Sequence, residues 1–120
     1  MAKPLSFNKK MAVLQKTMGN CAYCGAGLVN EGVFTIDHVT PRALGGSNEI
    51  GNLLAACMSC NGSKGKKTLE QFRTFSAVKA ATGETIFGQA QAEYLLRIGA
   101  FDAIGADENH EFFFEQMGGA

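Results

Sequence analysis

The pattern of apolar and polar positions predicts a helix near the beginning of the chain. Ser6 suits the N-cap position and Gly19 suits the stop. Between them, apolar residues recur at helical spacing on one face: Phe7, Met11, Leu14 and Met18. We therefore expect a core-facing helix over residues 6–18.

Two short apolar runs predict strands in the middle of the chain. The first, residues 33–36, is rich in β-prone side chains, so Asp37 and His38 are expected at the end of a strand. Residues 41–48 have the composition of a loop. Asn52 then opens the second apolar run, residues 53–56, and a short helix is expected to begin at Cys60.

Helices are expected over most of residues 68–120. Thr68 and Gln71 have the spacing of a capping box, and Gly83 suits the end of the helix that they open. The apolar stripe of this helix is Leu69, Phe72, Phe75 and Val78. A further amphipathic helix is expected over about 88–98. The tail, residues 107–120, mixes acids with phenylalanines, a pattern that fits a docked segment and a partly disordered one equally well.

Length and the absence of internal repeats indicate one domain over residues 1–120 of the 120-residue chain. No apolar run has the length of a membrane span, and residues 1–6 do not resemble a signal peptide. We therefore expect a cytoplasmic protein with no membrane partner.

A net charge of zero conceals an asymmetry between the two parts of the chain. Residues 1–79 hold ten Lys/Arg against four acids, whereas residues 80–120 hold one Arg against seven acids. A basic half suits a polyanionic partner. Charge alone fits two merely solvated surfaces equally well.

Four cysteines occur as two Cys-x-x-Cys pairs, Cys21 with Cys24 and Cys57 with Cys60. Two such pairs can hold one zinc ion in a tetrahedron of sulfurs, and a site closed by four cysteines is structural. Without export the thiols stay reduced, which favours a metal over disulfides. A disulfide-bonded domain, a rubredoxin-like iron site and a redox dithiol are the alternatives.

Asp37 and His38 lie between the two cysteine pairs and are not needed as zinc ligands. A carboxylate beside an imidazole can carry out metal-assisted acid–base chemistry, because histidine accepts a proton near neutral pH. Adjacent strand residues point to opposite faces, so the two can share a site only where the backbone turns. The alternative without a catalytic role is that His38 is an exposed loop residue.

Three segments together resemble the HNH endonuclease family: CAYCG at 21–25, IDHVTPRALGGSN at 36–48 and NLLAACMSCNGSKG at 52–65. The resemblance covers about residues 21–67, which form the motif core between the helix at 6–18 and the helical region and acidic tail at 68–120. It implies a small α+β domain with a ββα-metal, treble-clef-like core. A four-cysteine zinc site would staple this core, and helices would surround it.

The resemblance also implies catalytic roles. His38 matches the general base, and Asp37 and Asn61 match the ligands of a catalytic divalent cation. Asn52 matches the asparagine that ties down the loop and orients the histidine. At Asn61 the family more often has histidine, so this chain resembles an HNN variant. An amide oxygen is a hard ligand, which favours Mg²⁺ or Mn²⁺. The alternatives are an N-cap role for Asn61 and a turn role for Asn52.

Four basic residues are candidates for phosphate contacts: Arg42, Lys64, Lys66 and Lys67. Each could equally be a solvated surface residue. The resemblance implies double-stranded DNA as the substrate, with nicking expected because one ββα-metal site cuts one strand. Small HNH proteins are often encoded by phages or mobile elements, and some assist packaging, so a packaging or other partner protein fits the same resemblance. The rival functions are a non-catalytic zinc module that binds nucleic acid or protein, and a redox protein.

Overall fold

The computed structural model describes residues 5–28, 34–84 and 86–117. The chain divides into two compact units, one formed by Met1–Lys66 with Phe112–Ala120 and the other by Lys67–Glu111. The first unit contains both strands and all four cysteines. A single domain over residues 1–120 stays a prediction.

The centre of the first unit is a two-stranded antiparallel sheet of β1 (Thr35–His38) and β2 (Leu53–Ala56). In its register Asp37 pairs with Leu54, and His38 pairs with Leu53. Asp37 and His38 are thus the last two residues of β1, which confirms their predicted position at the end of a strand, and β1 includes the last two residues of the apolar run predicted over 33–36. Residue 33 of that predicted run lies outside the described residues. β2 is buried along its whole length.

A helix, α1 (Phe7–Lys16), precedes the sheet and packs against β2. The Ser6 hydroxyl accepts a hydrogen bond from the Lys9 N–H at 3.1 Å, which confirms the predicted N-cap. The predicted apolar face is wrong at both ends, where Phe7 is 74% exposed and Met18 is 71% exposed. The helix ends at Lys16, before Met18, and its buried residues are Val13 and Leu14.

The helix after the sheet, α2 (Met58–Lys64), packs against β1 and completes a ββα arrangement. It begins two residues earlier than predicted, because Cys57 is its N-cap and the Cys57 Sγ accepts from the Cys60 N–H at 3.4 Å. Asn61 therefore lies inside the helix, which excludes the N-cap role. The predicted α+β class is confirmed.

The second unit is helical and consists of α3 (Leu69–Thr82), α4 (Gln89–Arg97) and α5 (Phe101–Ile104). Thr68 and Gln71 form the predicted capping box of α3, and Gly83 ends the helix in the left-handed conformation at φ 74°. Buried residues of these helices and the segment after them form its core: Ala77, Val78, Ala92, Phe101 and Ala106. The predicted α3 and α4 are both confirmed.

The C-terminal segment returns to the first unit, where α6 (Phe113–Gln116) ends the described chain near Met117. The Phe113 and Phe114 N–H groups donate to the carbonyl oxygens of Tyr23 and Ala22, at 3.1 and 2.8 Å. This part of the tail is therefore docked. No helix within the described ranges combines the length and the apolar character that crossing a membrane requires.

Candidate metal centre and active site

The four cysteine sulfurs form a cluster in the first unit. The Sγ atoms lie within 4.8 Å of one another, and those of Cys24 and Cys57 are 3.9 Å apart. All four cysteines are free thiols. Zinc–sulfur bonds of about 2.3 Å place the corners of a tetrahedron about 3.8 Å apart. The cluster therefore fits one tetrahedral zinc ion, as the sequence predicted.

The two cysteine pairs lie in turns that we call the first knuckle (residues 21–25) and the second knuckle (residues 57–60). The first is closed by the bond from the Cys21 N–H to the Ala26 carbonyl at 2.7 Å, and Gly25 takes the left-handed conformation at φ 80°. The Ala22 N–H donates to the Ala55 carbonyl at 2.8 Å. This bond ties the first knuckle to β2, which leads directly into the second knuckle.

Hydrogen bonding within the cluster makes the thiols unequal. The hydrogen bond from the Cys60 thiol lowers the pKa of Cys21 to about 4. The same bond raises the pKa of Cys60 far above the usual range of a thiol. The lowered pKa of Cys21 favours its thiolate, which is the form that binds a metal ion.

A cavity of about 270 Å³ lies beside the sheet, within the first unit. Asp37 and His38 from β1 and Asn61 from α2 all line it, so the predicted base and both predicted cation ligands share one cavity. Arg42 and Lys66 line its wall as well. Asp37 and His38 reach the same cavity because they occupy the last two positions of β1, where the chain leaves the sheet.

The imidazole of His38 is held by Asn48, a residue that the sequence did not single out. The His38 Nε2 lies 2.8 Å from Asn48 Oδ1, and the Arg42 guanidinium donates to the same oxygen at 3.2 Å. A guanidinium can only donate, so the atom between the two side chains must be the amide oxygen. Nε2 of His38 therefore carries the proton, and in the neutral ring Nδ1 keeps its lone pair.

Asp37 is held through one carboxylate oxygen. The Tyr23 hydroxyl donates to Oδ2, and the Lys64 Nζ lies 3.1 Å from the same atom. Within the described chain, Oδ1 of Asp37 takes part in no hydrogen bond. Burial, followed by the nearby Asp37 carboxylate, raises the pKa of Tyr23 well above its usual range, so the phenol keeps its proton.

Lys64 does not match its predicted role as a surface contact for phosphate. Its side chain is 0% exposed, and its Nζ also donates to the His38 carbonyl at 2.9 Å. A buried ammonium requires a partner of opposite charge, and Asp37 provides it. The physical reason for the difference is the direction of the side chain, because the last turn of α2 points Lys64 toward β1 instead of toward solvent.

Asn52 ties down the loop between the strands, as the resemblance implied. Its Oδ1 accepts from the Thr40 N–H at 2.8 Å, and its Nδ2 donates to the Ser47 and Thr40 carbonyls at 2.8 and 3.2 Å. Gly46 allows this close approach, since a Cβ there would lie 1.7 Å from the Thr40 carbonyl oxygen. The structure differs from the expectation in one respect, because Asn48 and not Asn52 bonds the ring of His38.

The other basic candidates have different environments. Arg42 and Lys66 are exposed and line the cavity. Lys67 belongs to the second unit, where its Nζ lies 5.0 Å from the centre of the Phe75 ring. His110 also belongs to the second unit, and its carbonyl accepts from Arg73 at 2.6 Å.

Two residues of the site were missed in the sequence. Asn48 lies within the second segment of the family resemblance, and that position is the feature by which it could have been found. An asparagine in a loop does not by itself indicate a site residue. Tyr23 lies between Cys21 and Cys24 and packs against Phe112 with ring centres 5.1 Å apart. Its bond to Asp37 spans 14 positions along the chain, and no local pattern reveals such a contact.

Comparison with protein families gives one match. Residues 21–75 match the family model described as HNH endonuclease. The match confirms the resemblance of this segment to the HNH endonuclease family. Searches of curated proteins and of solved structures find no match to the chain.

Proposed function

We propose that this protein is a metal-dependent endonuclease that hydrolyses phosphodiester bonds of DNA. The observation that carries the proposal is the cavity in which Asp37, His38 and Asn61 meet. A carboxylate, an imidazole and an amide from two elements converge there, next to two basic side chains. The HNH match supports the same chemistry, and DNA as the substrate follows from that family relationship.

His38 is the general base. Its Nδ1 accepts a proton from the attacking water, while Asn48 holds Nε2–H and thereby fixes the tautomer. The water attacks the phosphorus opposite the leaving 3′ oxygen, so the products carry 5′-phosphate and 3′-hydroxyl ends. Asn52 contributes indirectly, because it fixes the loop that carries Asn48.

Asp37 and Asn61 hold the catalytic cation, which we assign as Mg²⁺ or Mn²⁺. The residues fit such an ion, since both are oxygen donors, both line the cavity and Asp37 Oδ1 is uncommitted among the described residues. A water occupies about 30 Å³ in the liquid, so the cavity has room for an ion with several waters. When bound, the cation supplies charge stabilisation at the scissile phosphate.

Arg42 and Lys66 attract the phosphate backbone at the mouth of the cavity. Both are exposed, and neither has an acidic partner among the described ion pairs. Arg42 also contacts Asn48, so a phosphate bound at its guanidinium lies close to the base. The four cysteines hold zinc in a structural role, because four thiolates leave no open coordination position for chemistry.

The proposal is tested with His38→Ala on supercoiled plasmid DNA in the presence of Mg²⁺ or Mn²⁺. Loss of a general base typically costs about 10²–10⁴-fold in rate. His110→Ala, which replaces the other histidine of the chain, should cut like the original protein. Sealing of the nicks by a DNA ligase would verify the 5′-phosphate and 3′-hydroxyl ends.

Two results would reject the proposal. One is full nicking activity in His38→Ala, and the other is the absence of cutting by the zinc-loaded protein with every divalent cation tested. The second result would favour a non-catalytic zinc module, which shares the cysteines but does not need the cavity residues. Nicking that persists in EDTA would argue against the cation.

A further inference from the structure

Asp37 is held from two directions, and each begins at one of the two knuckles. Tyr23 lies in the first knuckle and donates its hydroxyl to Asp37 Oδ2. Lys64 lies on α2, the helix that starts at the second knuckle, and its Nζ is 3.1 Å from the same oxygen. The carboxylate is therefore fixed by two parts of the chain that the cysteine cluster brings together.

Neither partner can leave Asp37 without repacking. Lys64 is fully buried and also bonds the His38 carbonyl at 2.9 Å, so one ammonium holds both residues of the Asp-His pair. The ring of Tyr23 packs edge-on against Phe112 and Phe114, with ring centres 5.1 and 6.3 Å apart. Oδ2 is thus committed to the protein, and Oδ1 is the oxygen left for a ligand in the cavity.

We propose that Tyr23 and Lys64 are positioning residues for the catalytic cation: they hold Asp37 by Oδ2 and present Oδ1 as a single ligand atom. This inference rests on the proposed function, because it takes Asp37 as a cation ligand. Groups that hydrogen-bond a metal-ligating side chain typically change metal affinity or activity about 10–100-fold when they are removed. The zinc knuckles would then organise the cation site as well as the fold.

The test measures Mn²⁺ binding by electron paramagnetic resonance of the free ion in zinc-loaded protein. Tyr23→Phe removes only the hydroxyl and keeps the ring that packs against Phe112. We expect its Mn²⁺ dissociation constant to rise about 10–100-fold, with zinc content and melting temperature nearly unchanged. Tyr94→Phe is the matched control, because Tyr94 is the only other tyrosine and is 53% exposed.

Asp37→Asn separates this inference from the proposed function. If Asp37→Asn keeps its zinc content and its fold but loses Mn²⁺ binding, while Tyr23→Phe binds like the original protein, the positioning role is overturned and the cation site stands. Asn61→Ala, which removes the other proposed ligand, takes its place in this comparison if Asp37→Asn does not fold. If Asp37→Asn binds Mn²⁺ normally, or the original protein binds none, the cation site itself is overturned and the positioning role with it. Weakened binding in both variants supports both.

Rescue by excess cation distinguishes positioning from a general structural defect. If Tyr23 acts through the affinity of the site, raising Mn²⁺ should restore most of the nicking rate of Tyr23→Phe. A rate that stays low at saturating Mn²⁺, with Mn²⁺ bound, would contradict the proposed role. A crystal structure of the Mn²⁺-loaded protein should show the ion on Oδ1, with Oδ2 still bonded to Tyr23 and Lys64.

Discussion

At the scale of residues, Asp37 and His38 are held by different parts of the first unit. His38 is oriented through its ring by Asn48, which lies on the exposed loop, whereas Asp37 is oriented by the buried Tyr23 and Lys64. The proposed base is therefore coupled, through Arg42, to the part of the site that we propose as the phosphate contact. The proposed cation ligand is coupled to the cysteine knuckles. Changes on either side should affect different steps of the reaction.

Asn48→Ala should lower kcat roughly 10-fold or more while KM changes little. The ring of His38 loses the acceptor that fixes its tautomer, and a general base contributes about 10²–10⁴-fold in total. Nitrogen-15 NMR of the imidazoles should show Nε2–H as the dominant tautomer of His38 in the original protein and a mixture in the variant. Only two histidines are present, so a His110→Gln sample assigns the signals.

The control for that change is Asn109→Ala, an exposed asparagine of the second unit. It should leave both kcat and the His38 signals unchanged. An Asn48→Ala protein with an unaltered kcat would show that the bond to His38 Nε2 has no part in catalysis.

Lys64→Met should destabilise the protein by about 3–5 kcal/mol, because it leaves the nearly buried Asp37 carboxylate without its charged partner. The double variant Lys64→Met with Asp37→Asn should recover much of the lost stability, since no unpaired buried charge then remains. Urea unfolding of the zinc-loaded variants measures both effects. Equal stability of the single and the double variant would mean that the unpaired charge is not the cause.

At the scale of elements, the cysteine cluster joins two turns that lie far apart along the chain, since Cys24 and Cys57 are 33 positions apart. The first knuckle follows α1 and the second begins α2, and β2 contacts the first through the bond between Ala22 and Ala55. Structural zinc contributes about 10–16 kcal/mol of binding free energy in zinc-finger peptides. That is comparable with the whole net stability of an ordinary domain, about 5–15 kcal/mol.

Removal of zinc should therefore unfold the first unit and abolish cutting together. A strong chelator, or Cys57→Ser, should lower the zinc content, the melting temperature and the nicking rate in parallel, and added Mg²⁺ should not restore activity. Met58→Ala is the control, since Met58 is the exposed neighbour of Cys57 on the same helix. A Cys57→Ser protein that loses zinc but melts unchanged would contradict the structural role.

The elements also show which features could be predicted from the sequence. The ends of α3 follow from Thr68, Gln71 and Gly83, whose hydrogen bonds and conformation are local, and these predictions hold. The spacing of the cysteines likewise predicted that the four sulfurs lie together. The face of α1 and the burial of Lys64 could not be predicted, because they depend on which side of each helix meets the sheet. Periodicity gives the face that is apolar, and tertiary packing decides where that face ends.

At the scale of the whole molecule, the charge asymmetry follows the two units. The first unit carries seven Lys/Arg against four acids, and the second carries four against seven. Not every cation of the first unit can face a phosphate. Lys64 is sealed inside, and Lys16 donates to the Ile50 and Leu53 carbonyls at 2.7 Å. The positive charges that line the cavity at the surface are those of Arg42 and Lys66.

These two residues should determine how strongly DNA binding depends on salt. Each phosphate contact contributes about 0.9 to the slope of log affinity against log salt concentration. Arg42→Ala and Lys66→Ala should each reduce that slope by about 1 and weaken binding similarly on every DNA sequence. Fluorescence anisotropy with the inactive His38→Ala protein and a short duplex measures the binding affinity at each salt concentration without cleavage. The control is Lys79→Ala, which replaces an exposed lysine of α3 and should leave the slope unchanged. An equal reduction of the slope in Lys79→Ala would mean that the attraction for DNA is spread over the molecule and not concentrated at the cavity.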